Sequence, residues 1–212
     1  MIGFVKDNFV YIKCPKNGCS TYSALLIRAG WQKINLFENN LNFNDYILWG
    51  HLTNPQARHT KGVSQYLKLN PDININDPVV AKMLVSGVFD EHTYSISMML
   101  GPLRFLPIHW IPLDVTIKDY NHPEFAELQA SYNGDELTNN FFKENDINLS
   151  VSSADRRNVS GESEKNLRDQ IDQCKLKYHN NYQQLIKNFL EQDILLYNAT
   201  VKKFQIKYGS TE

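Results

Sequence analysis

Nowhere does the sequence run through the roughly 18 successive apolar residues that a membrane-spanning helix needs, so no membrane association is expected. The opening stretch, MIGFVKDNFVYI, lacks the basic segment, apolar core and small-residue cleavage site of a secretory signal, and is expected to be the first strand of the domain. Cysteine is scarce. Cys14, Cys19 and Cys174 are an odd number, which argues against a disulfide framework and for free thiols in a cytoplasmic setting. The Cys14 and Cys19 spacing has no second ligand pair nearby, so no metal is expected. An excess of one charge is missing too. The 22 Lys and Arg residues against 23 Asp and Glu leave a net charge of −1, which gives no general affinity for nucleic acid or an anionic surface. Any anion site must therefore be local. Three Asn-x-Ser/Thr sequons, at Asn148, Asn158 and Asn198, read as chance in an Asn-rich chain.

What is present suits a globular domain. With 42% hydrophobic and 21% charged residues over 212 positions, the chain can bury a real core, and residues 1–212 are read as one domain. No internal repeat or long linker interrupts it. NFVYIKC alternates like a strand and STYSALLIRAG like a short helix, with Ser20 or Thr21 as its cap and Gly30 past its end. WQKINLFE and NDYILWGHL read as the next strands, and PQARHTKGVSQYLKL as a helix with Pro55 in its first turn. DPVVAKMLVSGVF is a short helix or strand, DEHTYSISMML is helical, and HWIPLDV is a buried strand. Helical pieces and loops are expected from NHPEFAELQASYNG to FFKENDI, and a polar loop at SADRRNVSGES. EKNLRDQIDQCKLKYHNNY gives no firm assignment. YQQLIKNFLEQDILLYNATVKKF reads as a long amphipathic helix with Ile186, Phe189, Leu190, Ile194, Tyr197, Val201 and Phe204 on its core face. The expected class is α/β, with a central, mainly parallel sheet flanked by helices, a long C-terminal helix, and strand ends facing a ligand.

The most informative stretch is YIKCPKNGCST, Tyr11 to Thr21. A strand that turns sharply into a helix leaves first-turn N–H groups without intrahelical partners, and they favour an anion. Gly18 permits close backbone approach, Ser20 and Thr21 add hydroxyls, and Lys16 adds a mobile charge. The lysine precedes the glycine, so this is not the Gly-x-x-x-x-Gly-Lys-Ser/Thr loop of nucleotide hydrolases. A capped helix with an exposed lysine is the plain structural alternative.

PKNGCST after a first strand resembles the 5′-phosphosulfate loop of sulfotransferases that use 3′-phosphoadenosine 5′-phosphosulfate (PAPS). The resemblance implies a three-layer, P-loop-like fold. It also implies that Lys16 neutralises the oxygen bridging sulfate and departing phosphate, while Pro15, Asn17, Gly18, Cys19, Ser20 and Thr21 shape the 5′-phosphate seat. The family's 3′-phosphate motif, Arg-x-Pro-x-x-Arg-x-x-Ser, is similar to HLTNPQARHTKG: Pro55 and Arg58 match, Thr53 stands for the first Arg, and Lys61 for the Ser. Arg58 and Lys61 lie three apart, on one helical face. FDEHTYSISMML, RRNVSG and FLEQDILLYNATVKKF resemble later segments of the branch that holds carbohydrate sulfotransferases and their short bacterial and viral relatives. The resemblance implies that the RRNVSG loop lies against the nucleotide, making Arg156 and Arg157 candidates for the charge missing at Thr53.

Sulfuryl transfer to a hydroxyl calls for a general base. His92, flanked by carboxylates in DEH, is the first candidate, Glu38 at the end of the second predicted strand the next, and His51 the third. His59 reads as a surface or phosphate-side residue, and His109, His122 and His179 as structural. The expected partner is a carbohydrate or small-molecule acceptor. A catalytically degenerate nucleotide-binding protein of the same fold is the alternative. A kinase is disfavoured, since no P-loop lysine and no clear Asp pair for Mg²⁺ is present.

Overall fold

The computed structural model of the protein describes residues 1–113, 116–119, 126–129, 134–155 and 161–208. Strands β1 (Ile2–Lys6) and β2 (Phe9–Ile12) open the chain as a hairpin, with Lys6 opposite Phe9. Asp7 and Asn8 alone make the turn, and Asp7 takes a φ of 51°. Tight hairpin turns demand positive φ, and Asp and Asn tolerate it better than most residues. The single first strand expected from the sequence is thus two.

Strands β3 (Gln32–Asn35), β4 (Ile47–Leu52) and β5 (Ile108–Pro112) complete a five-stranded sheet in the order β3-β1-β2-β4-β5. β1 is antiparallel to both neighbours, whereas β2, β4 and β5 pair in parallel. The expected mainly parallel sheet is therefore corrected to a mixed one. The two-residue turn forces β1 and β2 antiparallel, while the parallel pairs are joined by long helical crossovers.

Helix α1 (Cys19–Arg28) follows β2, and α2 (Pro55–Leu69) follows β4. Then come α3 (Pro78–Ser86) and the short α4 (Ile96–Leu100). A small antiparallel pair follows, β6 (Thr116–Asp119) and β7 (Ala126–Gln129), and β7 stands where helical pieces and loops were expected. Thr-Ile-Lys-Asp and Ala-Glu-Leu-Gln alternate at period two, too briefly to be told from loop in the sequence. Helices α5 (Gly134–Glu144), α6 (Glu162–Lys177), α7 (His179–Leu185) and α8 (Glu191–Tyr208) follow, with a π-helical turn at Ile186–Leu190 joining the last two.

Period-two alternation assigns the sheet faces. Val10, Ile12, Leu48 and Leu52 point to one side with Ile96, Leu100, Tyr197 and Val201, so α4 and α8 cover it. Tyr11, Trp49 and Ile111 point to the other with Tyr22, Leu26, Leu137 and Phe141, covered by α1 and α5. Beyond the sheet, Val63, Leu67, Leu84 and Ile171 hold α2, α3 and α6 together. On the expected core stripe of the C-terminal helix, Leu190, Tyr197, Val201 and Phe204 are buried, and Ile186, Phe189 and Ile194 are half-buried. Among the described residues, no helix is long and apolar enough to cross a membrane.

Candidate functional site

Parallel pairing places the C-terminal ends of β2, β4 and β5 on one edge of the sheet, and the chain turns from β2 and from β4 directly into a helix. After β2, Asn17 N–H donates to the Cys14 carbonyl (3.3 Å), closing a turn with Pro15 and Lys16 at its centre. Pro pre-sets the first central position, but the second is Lys16 at φ 63°, a left-handed conformation that bulky side chains rarely adopt. Gly18 is also left-handed, at φ 70°, and is the N-cap of α1. A Cβ there would lie 2.6 Å from Leu113 Cδ1, so both the dihedral and the packing require glycine. The expectation that Ser20 or Thr21 caps the helix is corrected: no side chain caps α1. Thr21 N–H turns back to the Gly18 carbonyl (3.1 Å), while the Cys19 and Ser20 N–H groups have no acceptor among the described residues. The corner therefore presents open donors at a helix start.

That corner lines a cavity of about 860 Å³. Pro15, Lys16, Gly18, Cys19, Ser20 and Thr21 form one wall. Lys13 stands beside them, Gln65 and Lys68 come from α2, and Glu164 and Arg168 from α6. Lys16 Nζ donates to Gln65 Oε1 (3.2 Å), holding the lysine across the cavity toward α2. Burial pushes the Lys16 ammonium below its ordinary pKa, and the nearby Glu164 carboxylate opposes that push. Glu164 bridges two cations, accepting from Lys68 Nζ (2.5 Å) and from Arg168 Nη2.

His92 lines the same cavity. Its Nδ1 lies 3.1 Å from Asp90 Oδ2. A carboxylate only accepts, so Nδ1 donates and the neutral ring keeps its lone pair on Nε2. The turn is fixed from two sides. Asp90 Oδ1 accepts from the His92 and Thr93 N–H groups, and Gly62 of α2 lets the His92 backbone dock closely, since a Cβ there would meet the His92 carbonyl at 2.2 Å.

The other expected site residues lie elsewhere. Asn17 is fully buried, and its Oδ1 accepts from both Thr53 N–H (3.2 Å) and Thr53 Oγ1 (2.7 Å). The two corners are thus side by side and stitched together, but Thr53 serves the stitch and not the cavity wall. Arg58 turns away from the cavity altogether. It is 0% exposed, donates to the Tyr94 carbonyl, and lies 3.9 Å from Asp193 of α8. Its Nε and Nη1 have no partner among the described residues. Burial pushes its pKa down, with Asp193 opposing. Lys61 is half-buried and does not line the cavity. Arg156 and Arg157, with the loop that carries them, lie outside the described residues.

Among the candidate bases, Glu38 is exposed on the surface, and its neighbour Phe37 lines the cavity in its place. His51 is fully buried in the sheet. Its ring stacks on Tyr22 and contacts Tyr11 Oη (3.3 Å) and Thr138 Oγ1 (3.1 Å), and burial lowers its pKa to about 3. His59, expected at the surface, is instead buried against the Gly87 carbonyl (2.9 Å). Burial likewise pushes the Cys14 thiol up to about 12, leaving it inert. No metal-binding group of His, Cys, Asp or Glu occurs among the described residues.

Sequence reasoning missed Lys13, Gln65, Lys68, Glu164 and Arg168. A signal for the last two was present: a carboxylate and an arginine four apart, with acidic residues opening the segment, mark the first turns of a helix. Comparisons of the chain with family models, curated proteins and solved structures return no match.

Proposed function

We propose that the protein is a sulfotransferase that moves a sulfuryl group from PAPS to a hydroxyl of a carbohydrate or small-molecule acceptor, on a P-loop-like variant of the α/β fold. One observation carries this reading: Lys16, Gly18, Cys19, Ser20 and Thr21 of the corner open onto the same cavity as His92, whose Nδ1 meets Asp90. Its volume, about 860 Å³, falls in the range of ligand sites for molecules of nucleotide size. In the reaction the S–O bond to the 5′-phosphate breaks, a new S–O bond forms to the acceptor oxygen, and the acceptor proton leaves. Lys16 and the open N–H groups of Cys19 and Ser20 stabilise charge on the departing phosphate. His92 Nε2 takes the proton, and Asp90 steadies the imidazolium that results. The lowered pKa of Lys16 keeps its proton transferable, so it also suits a donor to the leaving oxygen.

A second reading, a nucleotide-binding protein of this fold that lacks turnover, is favoured by the withdrawal of Arg58 into the core. Transfer of labelled sulfate from PAPS to an acceptor panel separates the two. The enzyme reading expects labelled product with wild type and a loss of at least a hundredfold with Lys16→Ala and His92→Gln. Nucleotide binding without product selects the second reading, and neither binding nor product removes both.

A further inference from the structure

PAPS carries two separated anionic groups, and only one has a seat at the Lys16 corner. The helix start once expected to hold the other does not line the cavity, because Arg58 is committed to Asp193 and Tyr94. The cavity nevertheless holds a second concentration of positive charge. Lys68 and Arg168 face it from two different helices, with Glu164 between them taking one contact on each carboxylate oxygen. Among the described residues, this cluster sets two cations, Lys68 and Arg168, against the Glu164 carboxylate. The Arg168 guanidinium has remaining donor capacity: its Nε is buried with no acceptor among the described residues.

This cluster is not needed to fasten α6 to α2. That work falls to buried Lys175, which donates to the Gln56 carbonyl (3.1 Å) and Thr60 Oγ1 (2.7 Å), and to the apolar contact of Ile171 with Val63 and Leu67. An ion pair as exposed as Lys68–Glu164, with Lys68 42% accessible, adds little to stability. A dianionic phosphate, by contrast, offers more charge and more acceptor oxygens than a carboxylate, and arginine can grip it with two parallel donors.

Resting on the sulfotransferase reading, we infer that Lys68 and Arg168 seat the second phosphate of the nucleotide, the one on the 3′-oxygen, and that Glu164 holds the seat as an internal counter-ion until that phosphate displaces it. The carboxylate keeps two cations from repelling each other in the free protein. It also sets a threshold: a nucleotide with only a 5′-phosphate has nothing to displace it with.

The test is calorimetric titration of the full chain with adenosine 3′,5′-bisphosphate and with adenosine 5′-monophosphate. The ratio of the two affinities reports the 3′-phosphate alone. Lys68→Ala and Arg168→Gln are each expected to cut that ratio about tenfold while leaving the monophosphate affinity within about twofold. Arg168→Lys should lose part of the ratio, since it keeps the charge but not the fork. Glu164→Gln should raise bisphosphate affinity several-fold and monophosphate affinity by less, since the carboxylate also lies near Lys16, and Lys16→Ala should weaken both nucleotides alike. A wild-type ratio in Lys68→Ala, Arg168→Gln and Arg168→Lys, all with wild-type melting temperatures, overturns the inference and leaves the sulfotransferase reading standing. Wild type that binds neither nucleotide overturns that reading, and this inference with it.

Discussion

The corners after β2 and β4 are built alike and end in opposite places. Each follows a parallel strand, each bends at a proline, each opens a helix, and each carries a cation within the first few residues. Lys16 sits on the wall of an 860 Å³ cavity, whereas Arg58 is buried completely. The difference lies in what the rest of the chain brings to each. Asp193 of α8 arrives over the second corner, where it also accepts from the Ile96 and Ser97 N–H groups at the start of α4 (2.5 and 3.0 Å). Among the described residues, the hydrogen-bond partner of Lys16 is the neutral amide of Gln65. Local grammar makes a corner with a cation at a helix start; a distant residue decides whether that cation stays on a cavity wall or is buried.

The sharpest way to break the comparison is to remove Arg58. Arg58→Leu leaves Asp193 buried without its counter-charge, and a loss of about 3–5 kcal/mol is expected in urea unfolding. Arg58→Leu combined with Asp193→Asn should recover part of that loss in a double-mutant cycle. Full additivity of the two substitutions would contradict the pairing.

His51, on the strand leading into the Arg58 corner, gives the next largest effect. Its pKa falls from 6.5 to about 3 in the folded state, so the unfolded chain binds the extra proton between those values. Stability therefore stands in full above about pH 6.5 and falls as the pH drops, by up to about 1.4 kcal/mol per pH unit from this residue. His59, whose pKa is also lowered by burial, adds in the same direction. His51→Gln should flatten the slope of unfolding free energy against pH between 6.5 and 5 by about one proton. An unchanged slope would show that His51 does not titrate this way.

Two smaller effects concern the open corner. Gly18→Ala combines a left-handed backbone with a steric contact on Leu113, and about 1–3 kcal/mol of destabilisation is expected in thermal unfolding. Lys16→Gly should do the reverse. It relieves the left-handed strain at φ 63° and should hold or raise stability by about 0.5–1 kcal/mol, while sulfate transfer is lost. A destabilised Lys16→Gly would mean that the lysine is there for the fold and not for a ligand.

The β2 corner was legible because its signals are local: alternation, Pro, positive-φ Gly and hydroxyls fall within eleven residues. Helix α2 was equally plain, from Pro55 to Leu69. Strand direction was not, since the reversal at Asp7 and Asn8 is a two-residue event inside a stretch that alternates throughout. The burial of Arg58 depended on Asp193, which hides inside an apolar helical stripe and reads as a solvent-facing residue. The second cationic group of the cavity was missed for a different reason: α6 is polar along most of its length, so its periodicity is faint and Glu164 and Arg168 had no element to sit on. His92 was found from its carboxylate neighbour; that it docks on Gly62 required the tertiary structure.

The central claim, that the Lys16 corner is the seat of a 5′-phosphorylated nucleotide, is tested most directly by melting temperature under adenosine 3′,5′-bisphosphate titration, wild type beside Lys16→Ala. The expected result is a saturable rise for wild type, reaching about 2.7 kcal/mol of stabilisation at 100 times the dissociation constant, and a rise at least tenfold right-shifted in concentration for Lys16→Ala. No rise in wild type, or the same titration curve for both proteins, would contradict it.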